Sequence, residues 1–321
     1  MLEVSGTAVE RPGRAGSELS DRESILFKSG FIGIIGKPNT GKSTLMNLVV
    51  GEKVAISTHK PQTTRNRIMG IKTTGSAQFI FLDTPGIHEA RTPLNRQMVS
   101  TAMRVLGDVN VLLLLADAST PAGRDDDFII RSIRGITIPV ILVINKIDLL
   151  PKEKLLPLID ELRGLYPFEE IVPVSALKGF NVDRLLGVIE QILPEGPLYF
   201  PEEMITDRPE RFLAAEMIRE RITLLTHKEV PYSTAVTIDS FKEDNTKGLI
   251  RIQATVHVEK DSQKGIIIGK KGEMLKRIGT GARLEMERFF NTRVYLELFV
   301  RVQKDWAQDS RMLGEFGYPN E

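Results

Sequence analysis

Apolar positions in this chain fall into short continuous runs separated by stretches with helical spacing, and the alternation persists from Phe31 to about Leu193. The runs at 31–35, 67–73, 78–82, 110–116, 138–144 and 171–174 have the length and branched-residue content of buried strands. Helical spacing predicts helices at 43–50, 93–106, 124–134, 152–163 and 181–192. Strands that are apolar throughout, rather than alternating, are covered on both faces, so the pattern predicts an α/β domain over 29–193: a mostly parallel sheet with helices on both faces. Pro194, Pro197, Pro201 and Pro209 then break the pattern and mark a linker at 194–209.

From 210 to 321 the rhythm differs. An amphipathic helix at 210–226 carries Ala214, Ile218, Ile222 and Leu225 on one stripe, with Glu210, Arg211, Glu220 and Arg221 elsewhere. Strands at 233–241 and 248–258, a short helix near 262–267, a longer helix to about Phe290, a strand at 292–303 and a final helix from near Asp305 complete a small α+β domain. Residues 1–28 contain no apolar segment and carry Glu3, Glu10, Glu18, Asp21 and Glu23. That acidity excludes a secretory or transit peptide and predicts a disordered extension.

Composition narrows the chemistry. With 41% hydrophobic and 26% charged residues the chain is an ordinary soluble type. A net charge of +1 gives no overall attraction to polyanions, so any nucleic-acid face is local. The absence of cysteine excludes disulfides and thiolate sites, and four scattered histidines make no metal cluster. No apolar run approaches the ~20 residues of a membrane span.

Gly36-Lys37-Pro38-Asn39-Thr40-Gly41-Lys42-Ser43 fills the phosphate-loop template between a strand and the helix expected at 43–50, and Thr44 joins it as a candidate GTP-binding residue. Glycines let backbone N–H groups surround a polyphosphate, Lys42 adds a full charge, and the Ser43 hydroxyl is a magnesium ligand. Asn145-Lys146-Ile147-Asp148 follows a strand at the sheet edge where such folds bind ligands. A carboxylate at Asp148 accepts from both N1–H and the 2-amino group of guanine; adenine lacks that pair and leaves a buried charge unmet. Asn145 and Asp148 therefore read guanine, and the backbone of Ser175-Ala176-Leu177 meets its O6.

Asp83-Thr84-Pro85-Gly86 ends the strand at 78–82; Asp83 supports magnesium through a water, and the Gly86 N–H approaches the γ-phosphate. Thr63 or Thr64, in the loop from Thr58 to Arg65, completes the magnesium shell when the γ-phosphate is present, with Thr64 preferred. Ile87 stands where Ras-like enzymes carry a water-orienting glutamine, which predicts slow intrinsic GTP hydrolysis. Asn39 is placed to hold a potassium ion against the phosphates, so Lys42, Thr64 and Asn39 are the candidate catalytic set. His88 reads as a loop histidine without a role.

Gly269-Lys270-Lys271-Gly272 lies between two helices, with Lys264 on the first. The arrangement resembles the KH fold, whose GxxG loop clamps a nucleic-acid backbone. Residues 260–304 carry eleven Lys/Arg against five Asp/Glu, a local excess on a nearly neutral chain.

Together these segments resemble the Era family of bacterial GTPases, a likeness running from about Phe31 to Tyr318. Pro61-Gln62-Thr63-Thr64-Arg65, Arg208-Pro209-Glu210-Arg211-Phe212-Leu213-Ala214-Ala215-Glu216, Val230-Pro231-Tyr232-Ser233 and the 260–279 stretch carry it beyond the generic GTPase motifs. The resemblance implies a cytoplasmic GTP/GDP switch that binds the 3′ end of small-subunit ribosomal RNA, assists 30S maturation, and touches the inner membrane face peripherally. Two departures stand out: the N-terminal extension lies outside the family core, and Ala307 occupies a position commonly polar or basic. An ATP-using kinase, a non-enzymatic RNA scaffold and a related ribosome-assembly or tRNA-modification GTPase are the rival readings.

Overall fold

The computed structural model describes residues 26–60, 63–87, 107–121, 123–244 and 246–318. Residues 1–25 of the expected N-terminal tail, the helix expected at 93–106, Pro61, Gln62 and His88 lie outside these residues. The tail is expected to reach residue 28, but Lys28 already opens the first strand, paired with Ala77.

The first domain is a six-stranded sheet ordered β2-β3-β1-β4-β5-β6. Its strands are β1 (Lys28–Gly36), β2 (Ile68–Thr73), β3 (Ala77–Asp83), β4 (Val111–Asp117), β5 (Val140–Asn145) and β6 (Glu170–Pro173). All pairings are parallel except β2 against β3. Every residue of β3 and β5 is buried, as continuous apolar runs require. Helices α1 (Lys42–Val50) and α4 (Val182–Ile192) cover one face, packing Leu45, Met46 and Leu185 on Ile32, Ile34, Phe79 and Phe81. Helices α2 (Arg124–Ile133) and α3 (Leu155–Arg163) cover the other through Ile129, Ile133 and Leu162 on Leu112 and Leu142.

Prolines trim two predicted elements. The strand expected from 138 begins at Val140, because Pro139 has no N–H for the ladder. The helix expected from 152 splits into a 3-10 turn, Lys152–Lys154, and α3, since Pro157 cannot donate back to the preceding turn. Residues 199–206 run against the sheet: Tyr199 N and Phe200 N donate to Gln78 Oε1 at 2.9 and 3.0 Å, and Ile71 N donates to Ile205 O at 2.8 Å.

The second domain is a three-stranded sheet, order β7-β8-β9, from β7 (Thr234–Asp244), β8 (Leu249–Val258) and β9 (Arg293–Val302). The β7–β8 pair is antiparallel and β8–β9 parallel. Helices α5 (Glu210–Leu225), α6 (Asp261–Ile268) and α7 (Glu273–Phe289) bury one face of it around Ile218, Ile222, Ile252, Val256, Ile278 and Met286. A satellite cluster joins Ala235 to Trp306, Leu313 and Tyr318 beside the short α8 (Ser310–Glu315).

Helix α5 departs from the amphipathic expectation. Glu216, Arg219, Glu220 and Thr223, on its polar side, are buried as well. The reason is tertiary: that side packs on the first domain, where Glu220 Oε1 accepts from Ser57 N at 3.1 Å and Lys60 Nζ donates to Thr223 O at 2.5 Å. A helix stripe that is charged in sequence serves here as an interdomain face.

Candidate nucleotide site and RNA-facing loop

The carboxyl ends of β1, β3 and β5, with the loop after β6, surround a cavity of about 380 Å³. Pro38, Asn39, Gly41, Lys42, Ser43, Thr44, Thr63, Thr64 and Gly86 line one part of it, and Asn145, Lys146, Asp148, Leu149, Ala176 and Leu177 another. This is the edge at which open α/β sheets bind ligands.

The loop from Gly36 to Ser43 turns through left-handed backbone. Gly41 has φ 93°, and a Cβ there would lie 2.2 Å from the Asn145 amide nitrogen, so no other residue fits. Gly86 is equally constrained, since its Cβ would meet the Pro38 backbone at 2.7 Å. Lys42 is buried and donates to Lys37 O at 2.8 Å and Gly36 O at 3.1 Å. Burial brings its pKa down to about 8, against the opposing pull of Asp83. Lys37 points elsewhere, pairing with Asp126 at 2.6 Å.

Three oxygens gather beside Lys42. Ser43 Oγ donates to Asp83 Oδ2 at 2.6 Å and lies 2.8 Å from Thr64 Oγ1, which is itself 3.5 Å from Asp83 Oδ2. Burial pushes the Asp83 carboxyl up to about 6, although Lys42 and the two hydroxyls pull it down. Its Oδ1 is buried and has no hydrogen-bond partner among the described residues. One carboxylate and two hydroxyls are a hard oxygen set that suits magnesium shared with a bound phosphate. Among the described residues no group of three or more His, Cys, Asp or Glu forms an all-protein metal site.

Of the two candidate threonines, Thr63 turns away: its hydroxyl donates to Lys60 O at 2.6 Å and lies 2.7 Å from Thr58 Oγ1. Thr84 Oγ1 donates to Ile34 O at 2.7 Å and fastens the β3 loop to β1. Ile87 is fully buried against Ile35 and Leu112 and does not line the cavity. Its side chain serves the core, which is why no water-orienting group stands there.

At the far end, Asn145 braces the site from inside. Its amide donates to Thr40 O at 2.8 Å and its oxygen accepts from Ala176 N at 2.9 Å, so three loops share one side chain. Ser175 Oγ donates to Asp148 Oδ1 at 2.6 Å and orients that carboxylate. Lys146 pairs with Asp117 at 2.6 Å. Leu149 and Leu177 are 63% and 75% exposed, apolar flanks suited to a flat base.

Sequence reasoning did not single out Ile56, Ser57, His59, Leu149 or Leu224, all of which line the cavity, nor Asp117. Asp117 has a signal of sorts, because it ends β4 directly beside Asn145 in the sheet register. Leu224 has none: it belongs to α5 of the second domain.

In that second domain, Gly269 (φ 72°), Lys271 (φ 51°) and Gly272 (φ 80°) carry the chain between α6 and α7 in a tight left-handed turn. Lys270 and Lys271 are exposed at its tip, and Lys264 is half-buried on α6. The turn presents two charges and bare backbone together, as a phosphate chain requires.

Comparison with known proteins agrees with this anatomy. Residues 31–146 match the family described as 50S ribosome-binding GTPase, and residues 229–307 match the KH domain family. GTPase Era of Syntrophus aciditrophicus is 62% identical over 295 residues, covering 92% of this chain and 96% of that protein. GTPase Era of Geobacter metallireducens is 55% identical over 292 residues, covering 91% and 98%. Two crystal structures superpose with a TM-score of 0.88 at 45% identity, each covering 91% of this chain and 99% of the other. One is Era with MgGDPNP and nucleotides 1506–1542 of 16S ribosomal RNA; the other is a variant of Aquifex aeolicus Era bound to GDP and AlF4−.

Proposed function

The chain belongs to the Era family of GTPases, and on that footing we propose that it binds and hydrolyses GTP and binds the 3′ end of small-subunit ribosomal RNA in the service of 30S maturation. The observation that carries the reading is the convergence of four separated segments, at 36–43, 83–86, 145–148 and 175–177, on one cavity whose ends differ in chemistry. One end has Lys42 and three hard oxygens for a metal-bound polyphosphate; the other has a braced carboxylate between apolar flanks for a base.

In this reading Lys42 and the loop amides hold the phosphates. Ser43 and Thr64 ligate magnesium, with Asp83 behind them, and the metal supplies charge neutralisation at the β- and γ-phosphates. A relative's complex with MgGDPNP supports that assignment. Asp148 reads guanine and Asn145 keeps its loop in register with the phosphate loop. Ile87 predicts slow unassisted turnover. Asn39, at the phosphate end of the cavity, is the residue that would receive potassium, and equal turnover in sodium and potassium buffers would remove that role.

The domain boundaries that go with this function are 29–193, a linker at 194–209, and 210–321. The Gly269–Gly272 turn with Lys264, Lys270 and Lys271 is the RNA contact. A small-subunit target is favoured over the large subunit named by the broad GTPase family, because a relative similar along nearly its whole length was crystallised with 16S RNA. The family resemblance also carries a cytoplasmic location and peripheral contact with the inner membrane face; no helix among the described residues is long and apolar enough to cross a membrane. Vesicle sedimentation tests the contact.

The guanine assignment has a direct test. Asp148→Asn replaces an acceptor with a donor and should exchange GTP for XTP hydrolysis. Retention of GTP preference would overturn it.

A further inference from the structure

Thr64 is bound up with Ser43 and Asp83, whereas the side chain of its neighbour Arg65 reaches into the other domain. The Arg65 guanidinium is buried, 4% exposed, inside the second domain's surface. Nη1 donates to Thr234 O at 2.8 Å and to Tyr318 Oη at 2.9 Å; Nη2 donates to Pro231 O at 3.0 Å and Tyr232 O at 2.9 Å. Its central carbon lies 6.0 Å from the Trp306 ring and 5.8 Å from the Tyr318 ring, two rings stacked on each other. Trp306 is held in turn by Nε1 donating to Ser233 O at 3.1 Å.

We propose that Arg65 is a positioning residue for GTP hydrolysis, the anchor through which the second domain fixes the adjacent Thr64 at the metal site. The inference rests on the nucleotide reading above. Consecutive Cα atoms are about 3.8 Å apart, so an anchor at residue 65 leaves residue 64 little freedom. The anchorage continues along the segment: Arg219 donates to Thr63 O, Lys60 to Thr223 O, and Glu220 accepts from Ser57 N.

The chemistry of the socket fits a positional reference better than a charge pair. Among the described residues Arg65 has no carboxylate partner; its acceptors are three backbone carbonyls and one phenol. Carbonyls are fixed by the fold and cannot rotate away, so they set position to a fraction of an ångström. A buried guanidinium held only by neutral groups, with its Nε left without a hydrogen-bond partner among the described residues, gains little net stability, which suits a contact that must release. The planar fork matters too, because lysine offers a point charge and cannot reach four acceptors spread around a plane.

A plain interdomain staple would affect all nucleotide states alike. A positioning role predicts selectivity, because GDP lacks the γ-phosphate that recruits Thr64. The experiment uses the full chain with Mg2+, measuring single-turnover kcat and KM for GTP, and Kd for fluorescent GDP and GppNHp. Arg65→Ala should lower kcat about 10- to 100-fold and weaken GppNHp, with GDP affinity within about twofold. Arg65→Lys should lie nearer to the alanine variant than to the parent. Tyr318→Phe, which removes one hydroxyl from the far domain and keeps the ring, should lower kcat about three- to tenfold, and should have no further effect in the Arg65→Ala background.

Unchanged kcat, equal loss of GDP and GppNHp affinity, or additive effects of the two substitutions would overturn the proposal. If Arg65→Ala does not fold, Arg65→Lys and Tyr318→Phe decide it alone. Failure of the parent to hydrolyse GTP would instead strike the functional reading on which it rests.

Discussion

Asn145 and Thr40 are joined by a buried 2.8 Å hydrogen bond from the asparagine amide to the threonine carbonyl, which makes the loop at 145–148 and the loop at 36–43 one mechanical unit. The same carboxamide accepts from Ala176 N at 2.9 Å, so removing it strands a donor and an acceptor at once. Asn145→Ala is therefore expected to destabilise the protein by about 1–3 kcal/mol and to weaken GDP, GTP and XTP together. Urea denaturation and competition binding check this. A variant that merely exchanged one base for another would contradict the bracing role.

Asp83 and its orphaned Oδ1 predict a trade between stability and metal binding. The folded carboxyl titrates near 6, against an ordinary 3.8. A native group with a raised pKa holds its proton more tightly than the unfolded chain does, so its contribution to stability is present at low pH and lost as pH rises through 6. In EDTA, Asp83→Asn should then be more stable than the parent by about 3 kcal/mol at pH 7.5 and by roughly half that at pH 5. Urea melts at the two pH values measure it, and Mg–GTP binding should be lost in the same variant. A gain independent of pH would contradict the account.

Lys53 separates two acidic groups of the second domain, touching Glu220 Oε2 at 2.5 Å and also Glu285 Oε1. Burial raises the Glu220 pKa, the Glu285 charge raises it further, and Lys53 pulls it back. Lys53→Ala should thus lower stability most at alkaline pH, where Glu220 is forced to ionise beside Glu285, and the loss should shrink as pH falls. Thermal melts at pH 8 and pH 5.5 compare the two, and an equal loss at both would remove this explanation.

Lys270 and Lys271 sit exposed on the tight turn between α6 and α7, the proposed RNA contact. Replacing both by alanine should reduce the slope of log affinity against log salt by about 2 for an RNA oligonucleotide, leaving GTP affinity unchanged. Fluorescence anisotropy across a salt series reads the slope directly. An unaltered slope would place the RNA elsewhere.

Local pattern made most of this legible. The apolar runs announced β3 and β5, and the Gly–Lys–Ser and Asn–Lys–x–Asp spacings announced both ends of the cavity, because those features depend on neighbours in sequence. What sequence hid was tertiary. Glu220 read as part of the polar side of its helix, yet it is buried together with Glu216 and Arg219 where that helix meets the first domain. Leu224 reaches the nucleotide cavity from nearly two hundred residues away in the chain. Thr63 and Thr64 are chemically identical, and only the positions of Ser43 and Asp83 separate them. Ile87 revealed that a glutamine is missing but not that its side chain belongs to the core.

GTP and RNA should be coupled through residues 57–60 and 63–65, which line the nucleotide cavity on one side and meet the second domain on the other. The most direct test is the affinity of the full chain for an oligonucleotide from the 3′ end of 16S RNA, measured with Mg–GppNHp bound and again with GDP bound. The account predicts binding at least about tenfold tighter with GppNHp, a coupling of about 1.4 kcal/mol or more. Equal affinities in the two states would contradict it.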